Sequence, residues 1–162
     1  MALSKIDAVN FLTGTIPSGN IATSSLAAAA TGKVLQVVSV TNTTQQTTTS
    51  QSFVASTGLT ASITPSSTSS KILISVMSNV RSSADAAYTL YRGSTNLSAD
   101  SFVQIYAGGS DIRQLMTINY LDAPSTTSST TYTLYFLAGS GTAYINQEGS
   151  KQGQIILTEI GG

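Results

Sequence analysis

The chain has 162 residues, 41% of them hydrophobic and only 9% charged, with seven basic residues balanced by seven acidic ones. That length suits one domain with a sizeable core, and a neutral balance provides no clustered positive field for nucleic acid or an anionic membrane surface. The sequence has neither histidine nor cysteine, which removes the commonest general base, the usual zinc ligands, any thiol nucleophile and any disulfide.

Polarity comes from Ser and Thr rather than from charge. Low hydrophobicity with high net charge would keep a chain disordered; this one has neither, so the composition predicts a folded protein. Residues 1–32 read as an extended arm. Ile6, Phe11, Leu12, Ile16 and Ile21 are scattered without period among Gly14, Pro17 and Gly19, so they predict anchors for a neighbouring subunit or a larger assembly, the other reading being a disordered terminus. Residues 24–30 (SSLAAAA) offer one or two helical turns with a Ser cap and Gly32 as a stop. One Lys and no apolar run at the start predict no signal peptide, and no window approaches the roughly 20 apolar residues of a membrane span.

From residue 33 the pattern becomes short runs rich in β-branched and aromatic residues, broken by Gly, Pro, Asn, Asp and Ser. It predicts strands over 33–40, 48–56, 59–65, 71–80, 86–92, 101–107, 111–122, 130–138, 142–147 and 153–160, too many for one flat sheet. The uncharged stretch TNTTQQTTTSQS (41–52) reads as strand, turn with Gln45 and Gln46 at or near it, then strand, because the branched Cβ of Thr suits a pleated backbone while its hydroxyl stays wet. PSSTSS (65–70) and DAPSTTSSTT (122–131) read as corners linking two sheets, each with a proline at a strand edge. YAGGSD (106–111) reads as a hairpin loop, since it lacks the spacing of a phosphate-binding motif.

Ile72, Ile74 and Val76 alternate with Lys71, Leu73, Ser75 and Met77. Leu73 and Met77 therefore put apolar groups on the face that a lone sandwich would keep wet. Leu35 with Val37, Leu115 with Leu121, and Leu137 repeat the pattern. The expectation is a second buried surface, in subunit packing or as a central strand covered on both sides.

No catalytic residues are expected, and no cofactor or metal. Asp85, Asp100, Asp111, Asp122 and Glu148 are the acids a glycosidase pair would draw on, yet each sits at a strand end or turn where Asp usually caps backbone. No acids are spaced as in a calcium loop. Tyr88, Tyr91, Tyr132 and Tyr135 are mid-strand and predict packing, whereas Tyr106 and Tyr144, near loops, are the better residues for contact with a sugar or protein. Asn42 and Asn96 begin glycosylation sequons, which matter only in a host that glycosylates secreted proteins.

The segment GLTASITPSSTSSKILISV (58–76), preceded by KVLQVVSV and a Thr-rich stretch ending in SFVAS, resembles a module of tailed-bacteriophage virion proteins. PSSTSSKILI and TTYTLYF are similar to that module's strands, and LSKIDAVNFLTGTIPSGNI is similar to N-terminal segments of phage fibre-type proteins. The resemblance spans most of the chain. It implies an all-β fold, an antiparallel jelly-roll-like β-sandwich of about 8–10 strands over residues 33–162 behind the N-terminal arm, assembled as a homotrimer. It implies a capsid decoration (cement) protein on the virion surface, made in the host cytoplasm, that partners itself and the major capsid protein. It brings no catalytic residues. A tail-fibre or head-fibre tip that contacts tail proteins and a host-surface glycan or protein is the alternative. The short arm and the lack of heptads or a repeat favour a head seated directly on a shell.

Overall fold

A computed structural model of the chain describes residues 34–147 and 152–162. The expected arm with Ile6, Phe11, Leu12, Ile16 and Ile21, the helical turn over 24–30, and Glu148 lie outside the described residues. Eleven strands are present among those described: β1 (Val34–Asn42), β2 (Gln46–Thr48), β3 (Val54–Ile63), β4 (Lys71–Ser82), β5 (Ala86–Arg92), β6 (Thr95–Asn96), β7 (Val103–Ile105), β8 (Ile112–Asp122), β9 (Thr130–Ala138), β10 (Ala143–Ile145) and β11 (Gly153–Ile160).

They form two antiparallel sheets. In the first, β1 pairs β11, β11 pairs β4, and β4 pairs β8 along its whole length. β10 pairs the end of β4 beyond β11, and β2 pairs β10. The six strands thus lie as β1 and β2, then β11 and β10, then β4, then β8. In the second sheet β3 pairs β9 and β9 pairs β5, while β6 and β7 pair opposite ends of β5.

Strand alternation supplies the core between the sheets. Ile72, Ile74, Val76, Met116, Ile118, Ile155 and Leu157 face inward from the first sheet, and Leu59, Ile63, Tyr88, Leu90, Tyr132, Leu134 and Phe136 from the second. The rings of Tyr88 and Phe136 stack at 6.4 Å. The Tyr88 hydroxyl donates across the sandwich to the Tyr144 carbonyl at 3.3 Å, which gives this buried ring a partner for its polar end.

The expected corners are found: residues 64–70 carry the chain from β3 to β4, and residues 123–129 from β8 to β9, each changing sheets. Both contain a proline, Pro65 and Pro124, where no ladder bond is needed.

Three expectations are corrected. Residues 106–111 are not a hairpin loop, because β7 pairs β5 while β8 pairs β4. They cross between sheets, with Gly108 (φ 54°) and Gly109 (φ 84°) in the left-handed region and Ser110 N–H donating to the Ala107 carbonyl at 2.8 Å.

The run 48–56 is not one strand: β2 ends at Thr48, and Ser50 and Ser52 close a turn through side-chain bonds before β3 starts. Gln45 lies between β1 and β2 and Gln46 opens β2, both at or near the turn as expected. The break expected between 56 and 59 is instead an irregularity inside β3, where register shifts between Ala55 and Thr60.

That irregularity has a local cause. The Gln46 side-chain oxygen accepts from Thr57 N–H and the Ser56 hydroxyl, both at 2.9 Å, and its amide donates to the Thr57 hydroxyl at 2.6 Å. Gly58 is needed there because a Cβ would collide with the Asn42 side chain. Gln46→Ala should cost about 1 kcal/mol in urea unfolding and leave the unfolding slope unchanged.

Candidate functional site

The outer face of the first sheet is unlike that of the second. One row across it reads Val37, Thr158, Leu73, Leu121; the next Ser39, Ile156, Ser75, Asn119; the third Thr41, Gln154, Met77, Thr117. None of these twelve residues is charged. Leu115 opposes Asn79 beyond the third row, and Leu35 lies in the bulge of β1 beside Val34. Among the described residues, six of the seven exposed large hydrophobics, Val34, Leu35, Val37, Met77, Leu115 and Leu121, belong to this sheet. The sandwich itself leaves this apolar, charge-poor centre uncovered, and among the described residues its cations stand at its ends: Lys71 at one, Arg81 and Arg113 at the other. Depletion of charge at the centre distinguishes interface cores from ordinary surface.

The six residues expected to pack subunits do not share one surface. Leu35, Val37, Leu73, Met77 and Leu115 lie on this sheet, but Leu137 faces outward from β9, opposite Ala87 in the second sheet.

The second sheet's outer face is wet. Thr60 and Thr133 hydroxyls share a hydrogen bond at 2.7 Å, as do Ser62 and Thr131, and Tyr91 stacks on Tyr135 at 3.9 Å. Near one end Leu137, Ala87 and Gln104 form one cross-strand row. Two residues further on, the Gly139 N–H donates to the Asp85 carbonyl at 2.8 Å, and the Asp85 side chain accepts from Ala107 N–H at 3.3 Å. The small residues Ala87 and Gly139 leave a hollow of about 210 Å³ walled by Asp85, Gln104, Tyr106 and Leu137.

Tyr106 and Tyr144 have different surroundings. Tyr106 is 75% exposed at the rim of the hollow, with its hydroxyl donating to the Gln104 side-chain oxygen at 3.3 Å. Tyr144, on β10, lies under the Arg81 guanidinium at 4.7 Å, so its ring face is covered by a cation within the chain. Arg81 Nε donates to both Asp111 oxygens at 2.7 and 2.9 Å, and Arg113 stands 3.8 Å away. Hydrogen bonding from Arg81 holds the Asp111 carboxyl below its usual range.

Among the described residues, the candidate acids each hold a partner of their own. Asp85 holds the Ala107 N–H, Asp100 accepts from Gln104 at 2.9 Å, Asp111 holds Arg81, and Asp122 takes two bonds from Arg92. Among the described residues no three His, Cys, Asp or Glu cluster as a metal site would require. Both sequon asparagines are engaged internally: Asn42 accepts from Thr44 N–H and the Asn146 amide, and Asn96 from Thr89 and Ser98 while donating to the Asp100 carbonyl.

Sequence reasoning passed over Glu159, a fully buried carboxylate on β11. It also missed the hollow. An alanine at an outward position of β5 and a glycine just past the end of β9 were the available signal, because strand surfaces usually carry bulkier side chains. No protein-family model and no curated protein matches the chain.

Proposed function

We propose that this chain is a structural protein of a bacteriophage particle, a jelly-roll homotrimer that decorates the outer surface of the shell. It binds the major capsid protein through residues 1–32 and works without catalysis or a cofactor. The uncharged apolar centre of the first sheet's outer face carries the reading, since a strip of this kind is covered in a functioning assembly. Subunits meet there through Val37, Leu73, Met77, Leu115 and Leu121. The jelly-roll assignment is supported by strand order: β1, β11, β4, β8 faces β3, β9, β5 and β6 with β7, the arrangement that two wound Greek keys produce. The likeness of residues 58–76 to a phage virion module supports the particle.

A fibre tip that contacts the host surface is the second reading, favoured by the solvent-facing ring of Tyr106. Copy number separates the two. Hundreds of copies per particle on a gel mean shell, and about a dozen mean tail, because each follows the symmetry of its site. Deleting residues 1–32 should abolish shell occupancy and leave a soluble trimer; a deleted protein that still blocks adsorption to cells overturns decoration in favour of the fibre tip.

A further inference from the structure

The hollow on the second sheet has a chemistry of its own, independent of where on a particle the chain sits. Its floor is Ala87, its walls include the Leu137 side chain and the ring of Tyr106, and Asp85 and Gln104 supply planar polar groups. At about 210 Å³ it is below the roughly 300–1,000 Å³ of pockets for drug-sized molecules, so its occupant is a single small ring. Among the described residues no Lys or Arg lines it, which disfavours an anion.

The polar groups are only partly used. One Asp85 oxygen accepts from Ala107 N–H, and the other has no hydrogen-bond partner among the described residues. Gln104 donates one amide hydrogen to Asp100 and accepts from Tyr106, leaving a second hydrogen to give. The hollow therefore offers an unspent acceptor and an unspent donor beside an apolar ring face. A pyranose presents the complement: hydroxyls that donate and accept at its edge, and a patch of C–H groups on its face.

We propose that this hollow binds one residue of a neutral hexopyranose, its C–H face on Tyr106 and Leu137 and its hydroxyls on Asp85 and Gln104. The site lies on the sheet opposite the apolar strip, so assembly through that strip leaves it open. Two features keep it in shape. The Ala107 bond to Asp85 fixes the segment that carries Tyr106, and a Cβ at Gly139 would lie 3.1 Å from that of Asp85.

The test is saturation-transfer NMR and calorimetry on the full chain with methyl glycosides of glucose, mannose, galactose and N-acetylglucosamine, and with tetramethylammonium as a cationic probe. At least one glycoside should bind with a dissociation constant on the order of millimolar. Tyr106→Ala and Asp85→Asn should each weaken it about tenfold or more, with Tyr106→Ala unfolding at the parent temperature because its side chain is exposed. Ala87→Leu, which fills the floor, should abolish it. The proposal is overturned if no glycoside binds at about 20 mM, if both Tyr106→Ala and Asp85→Asn bind as the parent does, or if only tetramethylammonium binds.

Discussion

Asp122→Ala should destabilise the fold by about 2–4 kcal/mol, and so lower its melting temperature by about 5–15 °C for a chain of this size. Asp122 ends β8 in the first sheet and is 6% exposed. It accepts two bonds from Arg92 of β5, at 2.9 and 2.8 Å, and one from the Tyr132 hydroxyl of β9, at 2.7 Å. One carboxylate thus joins three strands and both sheets at one end of the sandwich.

Burial and the bond to Asp122 push the Tyr132 phenol well above its usual pKa, so it remains an O–H donor. Without Asp122 that hydroxyl is orphaned inside the core, which is the larger part of the expected loss. Arg92, whose side chain is 32% exposed, regains water and contributes less. Asp122→Asn keeps an acceptor for Tyr132 and should cost about half as much. Thermal unfolding of the two variants beside the parent checks the order; equal losses would mean that charge pairing outweighs the buried hydroxyl.

Glu159→Gln should cost about 1–3 kcal/mol at neutral pH, with a particular dependence on acid. Glu159 accepts from the Gln36 amide at 2.6 Å and from the N–H and hydroxyl of Ser66 at 2.7 and 2.6 Å, so it pins the β3–β4 corner to β11 and β1. Burial opposes its ionisation, and the bonds from Ser66 and Gln36 more than offset that, holding its pKa at about 2. The unfolded chain titrates the same group near 4.3. A depressed folded value contributes stability that is complete above the unfolded pKa and is lost as pH falls through the folded one. The difference between parent and Glu159→Gln should therefore be constant above about pH 5 and shrink toward pH 2. Denaturant melts across that range would show a flat difference if the corner is held by packing alone.

Much of this arrangement was legible in the sequence, where pattern and burial coincide. The strand over 86–92 and those over 130–138 and 153–160 have the expected bounds, because each is a β-branched or aromatic run between clear breakers. The alternation of Ile72, Ile74 and Val76 against Leu73 and Met77 correctly separated core from outer face. Leu137 was harder: alternation shows that it faces away from Leu134 and Phe136, but not which of two sheets carries it.

The region 41–60 misled for a related reason. Threonine suits strand and turn alike once hydroxyls can bond backbone, as Thr48 does with Ser50 N–H, and the irregularity at Gly58 depends on Gln46 from a different strand. Nothing in the run 153–160 marks Glu159 as buried. Only the fold brings Ser66, 93 positions away, onto its carboxylate. The hollow is legible only as an absence of side chain at Ala87 and Gly139, which acquires meaning when Tyr106 arrives from a crossover between sheets.

Assembly through the first sheet's outer face is tested most directly by sedimentation equilibrium of the full chain. The parent should sediment as three times its 16.7 kDa chain mass. Leu73→Asp combined with Leu121→Asp places two charges side by side in the strip, since the two residues are direct cross-strand partners. That variant should sediment as a folded monomer with an unchanged far-ultraviolet circular dichroism spectrum. A parent that is monomeric at about 50 μM, where a subunit contact of ordinary strength is saturated, or a double variant that stays trimeric, would contradict assembly through this face.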